Sequence, residues 1–128
     1  MNKSYLSDKR ITSDSVGVRV FRDICKLWGL SYEQSLILLA GHQERKNHRE
    51  EAFPELTTES MQRISYILGI YENLQLLLPD STASDKWMSA KNNAPIFNGK
   101  SALEKILSGD IQDLKQVHQY LYALSVGN

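Results

Sequence analysis

The sequence predicts an all-α fold: a helix-turn-helix unit followed by a small helical domain. Three observations lead there. Apolar residues recur at three- and four-residue steps through most of the chain. Ser31 with Gln34, and Ser101 with Glu104, have the spacing of capping boxes, in which two side chains satisfy each other's backbone N–H groups at a helix start. No segment shows the apolar–polar alternation of a half-buried strand.

Residues 1–15 are polar and aperiodic and read as a flexible N-terminal arm. From Val16 the pattern is helical, with Val20, Phe21, Ile24, Cys25 and Trp28 on one face and Gly29 as the stop. Ser31 opens a second helix that carries Leu36, Leu38, Leu39 and Ala40 and ends at Gly41. A stretch without strongly apolar residues follows, from His42 to Glu51, and Pro54 ends it. Thr57 or Thr58 caps a long amphipathic helix with a stripe of Met61, Ile64, Leu68, Tyr71, Leu74 and Leu78, flanked by Ile67, Ile70 and Leu77. Pro79 stops it, and the polar residues 80–85 read as a connector and domain boundary. Trp87 and Met88 sit in a short helical or turn segment, and Asn92 to Pro95 and Asn98-Gly99 read as loops. Ser101 opens a short helix ending at Gly109, and Asp110 caps a closing helix through Ile111, Leu114, Val117, Leu121 and Leu124. The expected organisation is thus an arm (1–15), a helix-turn-helix domain (16–79) and a second helical domain (80–128).

Composition narrows the function classes. The 128 residues are 41% apolar and 23% charged, the profile of a globular domain with a modest core. The longest apolar run is Leu36 to Ala40, far short of a membrane span, and the polar N-terminus lacks a signal-peptide core, so a cytoplasmic location without membrane association is expected. The single cysteine, Cys25, lies in an apolar periodic segment and reads as a small buried hydrophobe. His42, His48 and His118 have no metal-ligand spacing with it, no phosphate-binding glycine loop occurs, and Glu50-Glu51 diverge on a helix; neither an enzyme nor a cofactor or metal is expected.

Fifteen basic side chains balance fifteen acidic ones. Their distribution is uneven. Residues 1–29 carry six basic against three acidic side chains, and residues 30–55 carry three against five. Two scaffold helices followed by a polar third suit a helix-turn-helix, whose polar helix enters the major groove. His42, Gln43, Arg45, Lys46, Asn47 and Arg49 are the candidate DNA contacts, suited to base edges or phosphates. Glu44, Glu50 and Glu51 lie among them and repel phosphate.

Farther along, Trp87, Asn92 or Asn93, Phe97, Gly99, Leu103 and Gly109, followed by the helix from Ile111 to Leu124, form a second constellation. Packing alone accounts for most of it: Trp87 and Phe97 as core anchors, Gly99 in a turn and Gly109 as a helix stop. The pattern also resembles the C-terminal toxin-binding domain of the Xre/MbcA/ParS antitoxins. The helix from Leu56 to Tyr71 is similar to the linking helix of the family's helix-turn-helix domain. Ala102 stands where the family usually has proline.

The resemblance implies an antitoxin of a type II toxin–antitoxin system, a homodimer whose partners are a RES-domain toxin that consumes NAD and its own operator DNA. It would block the toxin's active site with C-terminal residues and repress its operon. On that reading His118, Tyr120, Leu121, Tyr122 and Leu124 form part of the toxin interface, since tyrosine supplies large contact area at small entropic cost. The long helix from Met61 to Leu78 is the candidate dimer surface. Two alternatives stand beside it: an antitoxin that has lost DNA binding, to which the acidic residues of 42–51 point, and a stand-alone helix-turn-helix regulator.

Overall fold

The computed structural model describes residues 16–42 and 56–127. Six α-helices and one short 3-10 turn make up the described residues: α1 (Val16–Leu27), α2 (Tyr32–Ala40), α3 (Thr58–Leu77), α4 (Ser81–Ser89), the turn η1 (Pro95–Phe97), α5 (Ala102–Ile106) and α6 (Ile111–Gly127). Among these residues the fold is all-α, with one isolated bridge between Lys91 and Ser101.

The helix starts follow from local chemistry. Ser31 and Ser101 each form a complete capping box, with Gln34 and Glu104 reaching back to the cap N–H at 2.9 and 2.8 Å. Thr57 caps α3 through the Ser60 N–H, and Asp110 caps α6 through the Gln112 N–H at 2.9 Å. Asp80 caps α4 through Thr82, so residues 80–85 are not the expected connector but the cap and first turns of a helix. Pro79 ends α3, and the chain turns directly into α4, which Gln75 ties back through Ser84 at 3.0 Å.

Among the described residues one core runs from α1 to α6. Phe21, Leu36, Leu38 and Leu39 from the first half, Ile67, Ile70 and Leu74 from α3, and Met88, Phe97, Ile106, Leu114 and Leu121 from the second half belong to a single buried cluster. α3 is its axis. It packs against α1 and α2 on one side and lies alongside α6 on the other. Arg63 meets Gly109, Tyr66 meets His118, and Asn73 meets Ser125. Both chains advance together along these pairs, so α3 and α6 run parallel.

Two helix faces differ from the expected ones. Val18, not Val20, joins Phe21, Ile24, Cys25 and Trp28 in the core; Val20 is 39% exposed and lines up with exposed Val16 and Leu27. On α3 the buried line is Ser60, Arg63, Ile64, Ile67, Ile70, Asn73 and Leu74, while Met61 is 41% exposed. The cause is that α3 serves two partners, so its buried arc turns toward α6 and takes in polar residues that an apolar stripe omits.

Candidate toxin-binding surface and the junction behind it

α6 begins at a tight corner. Gly109 holds φ +87°, a left-handed conformation that side-chain-bearing residues rarely adopt. Ser108 locks the corner from both directions: its hydroxyl donates to the Asp113 carboxylate at 2.6 Å and accepts the Asp110 N–H at 3.1 Å. Lys105 adds an ion pair to Asp113 at 3.0 Å. Burial pushes the Asp113 carboxyl up, but the hydrogen bonds from Ser108 and Lys105 and the lysine charge outweigh it and leave it below the usual carboxylate range.

Behind this corner lies a buried arginine. Arg63 is 4% exposed, and its guanidinium donates to the Gly109 carbonyl at 2.9 Å and to the Leu38 and Ile37 carbonyls at 3.3 and 3.4 Å. Glu59, one turn earlier, accepts from it at 2.9 Å. Ile37 and Leu38 lie in the last turn of α2, where the helix dipole favours a cation; the Ile37 carbonyl also accepts the Gly41 N–H at 2.8 Å. Arg63 therefore caps α2 and ties it to the start of α6.

The closing helix carries the expected toxin-facing residues on different sides. His118 is half-buried between Tyr66 and Tyr122, with ring centroids at 5.7 and 6.4 Å. Its imidazole occupies the space over Gly69: a Cβ built there would come within 2.5 Å of the His118 Cδ2. Tyr120 is half-buried on another side, edge-on to Phe97 at 5.3 Å, and Phe97 meets Trp87 edge-on at 5.8 Å. Leu121 lies between these two sides at 1% exposure, so it is a core residue rather than a surface contact. The exposed large apolar side chains of α6 are Tyr122 (55%), Leu124 (42%) and Val126 (60%), all in its last turns.

The motif residues make local packing and turn contacts. Asn92 caps its own loop by accepting the Ala94 N–H at 2.8 Å, and Phe97 is fully buried. Asn98 and Gly99 both hold positive φ in the turn closed by the Lys100 N–H on the Phe97 carbonyl. Leu103 is half-buried, and Gly109 makes the corner described above.

Of the candidate DNA contacts, Gln43, Arg45, Lys46, Asn47 and Arg49 lie outside the described residues, as does the expected arm 1–15. His42 is described. It is exposed, and its Nε2 donates to the Leu107 carbonyl at 3.1 Å. Arg63, Tyr66 and Gly69 were not singled out by the sequence reading. Arg63 carried a signal: it sits one residue before Ile64 and four after Glu59, a cation at a core-facing phase with its counter-ion one turn away.

Cys25 is buried, and burial pushes its thiol up to about 12. Among the described residues no group of acidic, histidine and cysteine side chains is placed to hold a metal, and no helix is long and apolar enough to cross a membrane.

Comparison with known proteins connects this surface to a function. The sequence model of the Antitoxin Xre/MbcA/ParS C-terminal toxin-binding domain matches residues 73–127, from the last turns of α3 to the end of α6. The chain is also 31% identical over 117 residues to "Uncharacterized protein y4oB" of Sinorhizobium fredii (strain NBRC 101917 / NGR234), covering 88% of this chain and 89% of that protein. No solved structure matches the chain. The matched span includes Trp87, Phe97, the locked corner and the exposed helix end, and a domain of that description acts by binding a protein rather than by catalysis. Residues 73–127 of the chain carry a domain of the Antitoxin Xre/MbcA/ParS C-terminal toxin-binding family.

Proposed function

We propose that the chain neutralises a RES-domain, NAD-consuming toxin by seating the end of α6 in or over the toxin's active site, and that its N-terminal half represses the operon by binding operator DNA as a homodimer. The observation that carries the toxin part is the helix end. Tyr122, Leu124 and Val126 are large apolar side chains left exposed on the last turns of a helix that is otherwise anchored by Leu114, Val117 and Leu121. A rigid helix presenting aromatic and aliphatic groups at its tip fits a concave protein site, because little conformational entropy is lost when it docks.

The DNA part is supported by the order α1, α2, polar segment, α3, and by Arg45, Arg49, Gln43 and Asn47 within that segment. Dimerisation is supported by Met61 and Leu76 on α3, 41% and 69% exposed. The division between residues 16–79 and 80–128 is one of tasks: both halves share α3 and one core.

The test is direct. The chain and the toxin encoded in the neighbouring reading frame are purified together and separately. The wild-type chain is expected to stop NAD loss by the toxin, and the Tyr122→Ala/Leu124→Ala variant to leave it running. A toxin that consumes no NAD, or full inhibition by the variant, rejects the proposal. For the DNA part, Arg45→Ala with Arg49→Ala is expected to weaken binding to the upstream duplex and flatten its salt dependence, because fewer counterions are released. A wild-type chain that shifts no upstream DNA would favour the antitoxin that has lost DNA binding.

A further inference from the structure

We propose that Gly69 and Asn73 on α3 are positioning residues for toxin binding: together they hold Tyr122, at the end of α6, in the orientation in which the toxin meets it. Gly69 lies outside the matched span 73–127, so the toxin-facing tip depends on a part of the chain that the match does not include. This rests on the reading that the toxin engages the end of α6, and it names what presents that end.

Glycine inside a helix is unfavourable, because it loses more conformational freedom on folding than any other residue. Gly69 nevertheless stands in the middle of α3. Its neighbour supplies the reason. The three atoms nearest to a Cβ built there would all belong to the His118 imidazole, with Cδ2 at 2.5 Å and Cε1 at 3.6 Å. Only a residue without a side chain leaves room for that ring against α3. His118 is thus fixed from one side by the α3 backbone and from another by Tyr66, with ring centroids 5.7 Å apart. Tyr122 follows His118 by one turn. Side chains on a helix lean toward its N-terminus, so the Tyr122 ring lies over the turn that carries His118. The two rings are inclined by 23°, with centroids 6.4 Å apart. His118 is therefore the floor on which Tyr122 rests, and Gly69 sets the height of that floor.

A second tether fixes the backbone at the same place. The Ser125 hydroxyl bridges the Tyr122 carbonyl, at 2.9 Å, and the Asn73 side chain on α3, at 3.3 Å. Asn73 is a buried amide one turn after Gly69. Ring and backbone of Tyr122 are thereby both referred to α3, although the side chain itself is exposed. An exposed aromatic held in one orientation loses little rotamer entropy when a partner closes on it, which makes it a strong anchor. Releasing either tether leaves Tyr122 on α6 but free to take other orientations, so part of the docking free energy goes into ordering it.

The experiment is a calorimetric titration of the full chain with the purified toxin from the neighbouring reading frame, which reads binding without reference to the toxin's reaction. Wild type, Gly69→Ala, Tyr122→Ala and the double variant form one cycle. Gly69→Ala is expected to weaken toxin binding about tenfold in the wild-type chain and by less than about twofold in the Tyr122→Ala chain, a coupling within the range found for residues that share a contact. His118→Ala separates positioning from stability. Alanine at position 69 meets no ring in that chain, so adding Gly69→Ala should raise its melting temperature while leaving toxin binding as weak as before. Should Gly69→Ala alone fail to melt cooperatively, Asn73→Ala, which releases Ser125, takes its place in the cycle with the same expectation. A folded Gly69→Ala chain that binds the toxin as wild type does, while Tyr122→Ala binds weakly, overturns this inference alone. An equal loss with and without the Tyr122 ring also overturns it. So does binding restored by Gly69→Ala in the His118→Ala chain, since stability rather than positioning would then be responsible. Tyr122→Ala binding like wild type, or a wild-type chain that binds no toxin, overturns the reading of the helix end, and this inference falls with it.

Discussion

Gly69 gives the sharpest stability prediction because its substitution should change sign with its neighbour. It lies inside α3, where alanine is favoured over glycine by about 1 kcal/mol on helix propensity alone. A Cβ there, however, would come within 2.5 Å of the His118 Cδ2 and closer still to Nε2. The imidazole must swing away and leave its contacts with Tyr66 and Tyr122. Ring contacts of this kind contribute roughly 0.5–1.5 kcal/mol each, so about 1–3 kcal/mol is lost against the 1 kcal/mol gained. Gly69→Ala is therefore expected to destabilise the wild-type chain by about 1 kcal/mol and to stabilise the His118→Ala chain by about 1 kcal/mol, a coupling of about 2 kcal/mol. Urea unfolding of the four chains measures it, with unchanged m-values showing that the unfolded states are comparable. The same sign in both backgrounds would refute the claim that His118 is seated on Gly69.

Further outcomes follow from the core and from the titrating groups. Phe97→Ala removes the ring that joins Trp87 to Tyr120 and should cost about 3–5 kcal/mol in urea unfolding; a loss below 1 kcal/mol would contradict the burial. Because the folded-state value of Asp113 is lowered, its contribution to stability is present above the ordinary carboxylate range and lost as pH falls through the lowered value. Asp113→Asn should therefore flatten the acid limb of a stability–pH curve; an unchanged limb would remove Asp113 from the corner network. The Cys25 thiol, pushed up to about 12, should resist aromatic disulfide reagents at pH 8 and react promptly in urea. Prompt native-state labelling would contradict its burial.

Local chemistry was the most legible part of the sequence. The boxes at Ser31 and Ser101, the cap at Asp110 and the stops at Gly29, Gly41, Pro79 and Gly109 depend on neighbours within four residues, and they stand where the spacing put them. What needed the tertiary structure was the phase of helices with more than one partner. Met61 and Val20 fit an apolar stripe but face outward, because α3 turns Arg63 and Asn73 toward its neighbours and α1 uses Val18. Residues 80–85 have a loop's composition but begin a helix, because Asp80 caps it and Ser84 meets Gln75. The expected toxin contacts share one short stretch of sequence, yet one helical step separates Tyr122 at the surface from Leu121 in the core. That step matters for testing. Deleting the chain after Val117 would remove Leu121 from the core as well as Tyr122 and Leu124 from the tip, so point changes at the tip are the cleaner probe.

The central claim is that the end of α6 is what the toxin engages. Its most direct measurement is growth of cells expressing the neighbouring toxin together with the Tyr122→Asp/Leu124→Asp chain, after circular dichroism has shown wild-type helicity and melting. Two carboxylates at an apolar contact would have to be desolvated on docking, so protection should be lost while the fold persists. Full protection by that folded variant would contradict the account and move the toxin contact elsewhere on residues 73–127.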